Sequence, residues 1–184
     1  MTGLADFIRI ANDLKTHKRT GWVVCGVDLP ESIADHSFMM ALMCLAVPEK
    51  GIDKNKAVKM AIAHDLAESV TGDLISKDNW EGGSIERKEK TELERKAMES
   101  ILSGLSKETA ADVMGLWEEF EECKTPEARF VKEIDTAELL IQAKLYSEKS
   151  NSKKPLHGFW DEKNLSKIKS ESIKTLVKGI ISSS

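Results

Sequence analysis

Two histidines and two aspartates stand in apolar, helix-forming runs. His36 lies in PESIADHSFMMALMCLAV, the adjacent pair His64-Asp65 in AVKMAIAHDLAESVTGD, and Asp135 in ARFVKEIDTAELLIQAKL. Burying such groups without partners costs several kcal/mol. A divalent cation removes that cost, and two imidazole nitrogens with two carboxylate oxygens suit one. A cation held with open coordination positions can activate water. Within HDLAE, Glu68 follows His64 by one helical turn and Asp65 by three residues, so it is expected to face the same cavity from the next turn.

These residues need three packed helices to meet, and the sequence supplies helices throughout. Leu4, Phe7, Ile8, Ala11 and Leu14 share one face of a first helix. The stretch THKRTGWVVCGVDLP reads as a polar, glycine-containing connection. Pro30 and Glu31 are expected to open a second helix that runs to about Val47 and stops at Pro48 and Gly51. Asp53 caps a third, with Ala57, Val58, Ala61, Ile62 and Leu66 on its apolar face and Gly72 as its stop.

Asp73 to Ser84, with Gly82-Gly83, reads as a loop. A charged helix is expected from Ile85 to Leu102, its ERKEKTELERKAMES pattern forming mostly a solvated face. Helices follow over Lys107 to Glu122, from Thr125-Pro126-Glu127 to about Lys149, and from Leu165 to Ile181, with SNSKKPLHG as a loop and a fraying SSS terminus. No alternating strand series, repeat or dividing linker is visible. The expected fold is therefore all-α: a single domain over residues 1–184, a helical bundle with a divalent-metal site between its helices.

Composition narrows the function. Apolar residues make up 41% of the 184 residues, enough for a packed interior. The formal charge of −4 argues against a nucleic-acid polymer as partner, while leaving room for a small phosphate held by local cations. Three widely spaced cysteines, Cys25, Cys44 and Cys123, with no CxxC, signal neither a disulfide framework nor a thiolate zinc site and fit a reducing compartment. The N-terminal MTGLADFIRIANDLK lacks the apolar core of a secretory signal, and the apolar run Phe38 to Val47 falls short of the ~20 residues a bilayer span takes. A soluble cytoplasmic protein with no membrane partner is expected. Trp80, Trp117 and Trp160 read as structural, Met39-Met40-Met43 as core, His17 and His157 as surface residues, and Glu118, Glu119, Glu121 and Glu122 as a solvated acidic face.

ESIADHS, AHDLAESVTGDL and FVKEIDTAELL together resemble the H…HD…D pattern of the HD-domain metal-dependent phosphohydrolases. KRTGW near the start, and HDxxE followed by TGDL, bring the resemblance to the HD-family 5′-deoxynucleotidases, over roughly residues 6–148. The resemblance implies that His36, His64, Asp65 and Asp135 are metal ligands, with Asp65 and Glu68 in the catalytic set. It implies that Arg19 orients the substrate phosphate. It implies that Trp22 matches the family's tryptophan beside the sugar and base, although Thr20-Gly21 here separate an Arg and a Trp that are adjacent in some members. Asp73, Leu74, Ile75 and Ser76 match the loop that holds the nucleoside. Asp73 has two readings: an acceptor for a sugar hydroxyl, or a partner of Glu68 for a second ion such as Mg²⁺.

The implied reaction is metal-dependent hydrolysis of a deoxyribonucleoside 5′-monophosphate to deoxynucleoside and phosphate. The donor set does not distinguish Mn, Fe, Co, Ni, Cu and Zn; the resemblance implies activity with Co²⁺ or Mn²⁺, and a homodimer. Two other readings stay open at this point. One is a cyclic-nucleotide or guanosine-tetraphosphate hydrolase of the same superfamily, and the other is a metal-bound helical regulatory module without turnover.

Overall fold

The computed structural model describes residues 3–77, 83–149 and 152–182. Trp80 and Gly82, within the expected loop, lie outside them, as do Ser183 and Ser184 of the terminus. The described residues form ten α-helices: α1 (Leu4–Asn12), α2 (Thr20–Cys25), α3 (Ile33–Ala46), α4 (Lys54–Ala63), α5 (Glu68–Thr71), α6 (Arg87–Leu102), α7 (Lys107–Glu122), α8 (Pro126–Glu148), α9 (Glu162–Leu165) and α10 (Glu171–Ile181). Two 3-10 turns, Asp13–Lys15 and His157–Trp160, complete them. Among the described residues there are only isolated β-bridges, so the fold is all-α as expected. None of these helices is long and apolar enough to cross a membrane.

The long helix α8 is the axis of the structure, 23 residues and so roughly 35 Å. α3 and α4 pack against each other and both lie on α8, with α7 and α10 closing the far side. Alanines at 57, 61, 128 and 137 let these helices approach closely around Met40, Met60, Ile134, Leu140 and Ile173. A second cluster joins the 3-10 turn after α1 to α6 and α7 through Leu14, Met98, Ile101 and Trp117. A third seats α2 on the C-terminal part of α8, with Trp22, Ala143, Tyr146 and Leu156 in contact.

Four expectations about the helices need correction, each for a local reason. α2 falls in the segment read as a connection; it is a six-residue helix ended by Gly26, whose φ of 69° is the left-handed conformation that favours a helix stop. The second helix starts at Ile33, not at Pro30-Glu31, because Ser32 forms a capping box with Asp35. The expected single helix from Asp53 to Gly72 is two, α4 and α5, broken at residues 64–67. The last helix begins at Glu171, where Ser170 caps it, while Leu165 ends α9.

Other boundaries fall where the sequence put them. Asp53 Oδ1 accepts the Lys56 amide at the start of α4, and Thr125 caps α8 with Pro126 in its first turn. The acidic residues of α7 are not merely solvated: Glu119 pairs with Lys56 at 2.8 Å and Glu121 with Lys132 at 3.4 Å. Met40 and Met43 are core residues, but Met39 is exposed.

The Ser32–Asp35 box fixes where α3 starts and therefore which way His36, one turn later, points. Ser32→Ala should lower stability by about 1 kcal/mol, measured by urea unfolding. Unchanged stability would show that the box does not hold this helix start.

Candidate metal centre and its cleft

His36 enters the interior from the first turn of α3 and is fully buried. Its Nδ1 lies 2.7 Å from Glu138 Oε2 on α8. His64 ends α4, its amide still bonded to Met60 O, and its Nδ1 lies 2.7 Å from Ala61 O. Each of these partners is an acceptor, so Nδ1 of both rings carries a proton and Nε2 is the nitrogen left to face an ion. Such tethering of the far nitrogen is how metal-binding imidazoles are oriented.

The break after α4 sets the carboxylates. Beyond His64 the backbone tightens to i→i+3 bonds: Leu66 N–H to Ala63 O, Glu68 N–H to Asp65 O, Ser69 N–H to Leu66 O. At three residues per turn, i and i+3 eclipse. The tightened turn leaves Asp65 and Glu68 both lining one cleft.

The donor atoms of His36, His64 and Asp65 lie within 4.8 Å of one another. His64 Nε2 is 3.0 Å from Asp65 Oδ2, and His36 Nε2 is 3.9 Å from the same oxygen. Asp135 joins through His36, its Oδ1 3.4 Å from Nε2. His36 Nε2 is nonetheless buried without a hydrogen-bond partner. An orphaned imidazole nitrogen facing two carboxylate oxygens and a second such nitrogen is the donor arrangement a divalent cation completes, so the residues present fit a metal.

The electrostatics agree. Burial and Arg19 press the His36 pKa down, yet Asp135 and Glu138 more than offset them and raise it to about 10. Burial works to raise Asp65 and Asp135, but His64, Arg19 and His36 hold the first, and His36 the second, well below the usual carboxylate range. The centre thus calls for positive charge. A proton on His36 supplies it where no cation is bound, and a cation would displace that proton.

Around the centre opens a cleft of about 950 Å³. Arg19, Trp22, His64, Asp65, Glu68, Asp73, Leu74, Ile75, Ser76 and Asp135 all line it, so the structure brings together every site residue expected from the sequence except His36, which sits behind its floor. Arg19 Nη1 lies 3.3 Å from Asp65 Oδ2. Asp73 Oδ2 accepts the Thr20 amide at 2.7 Å, and Thr20 Oγ1 donates to Asp73 O at 2.7 Å, tying the loop to the start of α2. Ser76 is buried and bridges to Ile85. The Trp22 indole is buried, its Nε1 donating to Glu31 Oε1 at 2.8 Å and its ring packed on Tyr146 and Phe159.

Several members of the site were not anticipated. Glu138 follows Asp135 by three residues on α8, a D-x-x-E spacing that could have exposed it. Glu31, pushed up to about 7 chiefly by burial and then by Glu138, links Trp22 to the buried pair; nothing in its surroundings in the sequence signals this. His17, read as a surface residue, bonds through Nδ1 to Glu68 O at 3.0 Å. Lys90 and Glu94, read as part of a solvated face, turn into the cleft.

Fold and site together describe a helical metal-dependent hydrolase, and comparison with known proteins gives the family. Residues 11–176 match the HD domain, and the chain belongs to that family. It is 42% identical over 172 residues to 5′-deoxynucleotidase HDDC2 of Dictyostelium discoideum, covering 88% of each chain. It is 35% identical over 177 residues to 5′-deoxynucleotidase YGK1 of Saccharomyces cerevisiae, covering 95% of this chain and 80% of that one. A solved structure of a conserved hypothetical protein from Pyrococcus furiosus superposes with a TM-score of 0.75 at 32% identity, covering 96% of this chain and 98% of its own.

Glu138 should matter for metal binding although it lies behind the ligand. Glu138→Gln is expected to weaken Mn²⁺ or Co²⁺ binding by about 10-fold and Glu138→Ala by about 100-fold, read by isothermal titration calorimetry. Wild-type affinity in both would show that His36 needs no carboxylate to orient it.

Proposed function

We propose that this protein is a divalent-metal-dependent 5′-deoxynucleotidase, cleaving deoxyribonucleoside 5′-monophosphates to deoxynucleoside and phosphate. The observation that carries this is the convergence of His36, His64, Asp65 and Asp135 beside Arg19 at the floor of one cleft. The names of the relatives, 5′-deoxynucleotidases at 35–42% identity over most of the chain, choose the substrate class. We take residues 1–184 as one domain serving this activity.

His36, His64, Asp65 and Asp135 would hold the ion. When bound, it supplies Lewis-acid polarisation of a phosphate oxygen and a water of lowered pKa. Arg19, a rigid planar donor, swings from Asp65 to grip two phosphate oxygens. Further cations on the cleft wall, among them Arg87, Arg129, Lys132, Lys154 and Lys167, draw an anionic substrate into a chain of net negative charge.

Glu68 transfers the proton, at Oε2. Hydrolysis breaks the bond between phosphorus and the 5′ oxygen; the water oxygen goes to phosphorus and a proton to the departing oxygen. Burial first, then Asp65 and Asp73, raise the Glu68 pKa well above normal, against the pull of Lys90 and Arg19. Lys90 and the Thr20 amide engage one oxygen of Glu68 and one of Asp73, respectively, and the other oxygen of each would serve a second ion such as Mg²⁺. We assign Glu68 to proton transfer on its raised pKa and its buried, unpartnered Oε2. Leu74, Ile75 and Ser76 offer the nucleoside a partly apolar wall, with Trp22 lining the same cleft. Among the transition metals, availability selects the ion.

We also propose a homodimer through α3. Phe38, Leu42 and Leu45 recur at i, i+4 and i+7 on its outer side with Met39 beside them, all exposed. No charged residue occurs between Ser37 and Val47. An uncharged apolar stripe is its own complement under a two-fold axis, which favours a second copy over a charged partner. A cytoplasmic location accords with the three free cysteines, two of them buried.

Metal-reconstituted protein should release phosphate from deoxynucleoside 5′-monophosphates in a colorimetric assay, and Asp65→Ala should lose roughly 10³-fold or more of that activity. Failure of the wild type across all deoxynucleotides and metals would overturn the assignment. Light scattering should give twice the 20.5 kDa chain mass for wild type and 20.5 kDa for Leu42→Asp. A wild type at the single-chain mass would refute the α3 interface.

A further inference from the structure

The Lys90–Glu94 pair of α6 has the i, i+4 spacing of a surface ion pair, yet it faces inward. Lys90 Nζ lies 3.2 Å from Glu94 Oε1 and 3.2 Å from Glu68 Oε1. Glu94 is 7% exposed and Glu68 2%. Lys90, Glu94 and Glu68 all line the cleft. Glu68 Oε2, the oxygen Lys90 does not touch, is buried without a hydrogen-bond partner. The Glu68 carbonyl is held too, by His17 Nδ1 at 3.0 Å and by the Gly72 amide at 2.9 Å.

We infer that Lys90 is a positioning residue for the hydrolysis: it takes up Glu68 Oε1 so that only Oε2 is offered to the reacting atoms, and Glu94 holds Lys90 in that place. This rests on the deoxynucleotidase reading above. A carboxylate has two equivalent oxygens and a broad terminal torsion. A charge-assisted bond to one oxygen fixes the direction of the other.

An ammonium at the edge of a phosphate-binding cleft would by itself turn toward the phosphate. Glu94, one turn along the same helix and nearly buried, supplies the counter-charge that keeps it on Glu68. The fixed backbone of Glu68 completes the constraint, since neither end of the side chain is then free to shift. Removing Lys90 leaves two buried carboxylates without their cation, a far larger disturbance than losing an exposed pair.

Two measurements test this. In thermal unfolding of the metal-free protein, Lys90→Met should lower Tm, and adding Glu68→Gln should restore part of the loss, because the neutral amide no longer needs the cation. In phosphate release, Lys90→Met should cut kcat roughly 10²-fold with KM changed by less than about threefold, and Lys90→Arg should recover most of kcat. The kcat losses of Lys90→Met and Glu68→Gln should overlap in the double variant instead of multiplying.

A Lys90→Met enzyme with wild-type kcat, or losses that multiply, would overturn the inference; so would a Tm that Glu68→Gln leaves unrestored. Should Lys90→Met fail to fold, Glu94→Gln and Lys90→Arg carry the same comparison, the first expected to lower kcat and the second to keep it. A wild type inert on every deoxynucleotide, with Tm restoration intact, would sink the hydrolase reading while still establishing the hold of Lys90 on Glu68.

Discussion

The contact between His36 Nδ1 and Glu138 Oε2, 2.7 Å long and wholly inside the protein, is the constraint around which the structure is arranged. A buried carboxylate is tolerated only with a strong donor, and a buried imidazole only with both nitrogens accounted for. Glu138 answers for one nitrogen and, by doing so, aims the other at Asp135 and Asp65. The bond also ties α3 to α8, two helices that the main core cluster joins through Met40, Ile134 and Leu140. Packing and donor assembly are thus the same event: the bundle cannot close without bringing the donors together, and the donors cannot meet in an unfolded chain.

Regular helix geometry and the needs of the site conflict at one place, and the site wins. Continuing α4 through His64 and Asp65 would satisfy every backbone bond but set Asp65 and Glu68 about 60° apart around the axis, at 100° per residue. The i→i+3 bonds of residues 63–70 tighten the chain there, and both carboxylates line the cleft. Poorer hydrogen-bond geometry over that short stretch is offset by Leu66 and Ala67, which the turn buries against the second core cluster. Gly72, with φ of 69°, then turns the chain so that Asp73 can reach the start of α2.

What could be read from the sequence divides along physical lines. The all-α class, the boundaries of α7 and α8, and the Asp53 cap follow from local signals, namely periodicity and capping residues, and the structure shows them. The grouping of His36, His64-Asp65 and Asp135 was legible because polar residues in apolar runs require an explanation. Glu138 and Glu31 escaped because a carboxylate in a helix is unremarkable until its partner across the bundle is known. α2 escaped because six residues cannot establish a helical period. Lys90 and Glu94 were misassigned for the most instructive reason: K-x-x-x-E is the same pattern on a covered face and on a bare one. Only the tertiary arrangement, which lays α6 beside α5, distinguishes them.

α3 shows how far one helix can be loaded. Its inner side carries Ile33, His36, Met40 and Cys44 in the core, while its outer side presents Phe38, Leu42 and Leu45. A helix apolar on both sides is stable in water only if both sides are covered. The bundle covers one, and the pairing proposed here covers the other. With that pairing, His36 on α3 would gain rigidity from both contacts, because motion of α3 would disturb the interface and the core together. Association of two chains would then act on the centre through the helix that carries His36, with no residue of one chain entering the cleft of the other.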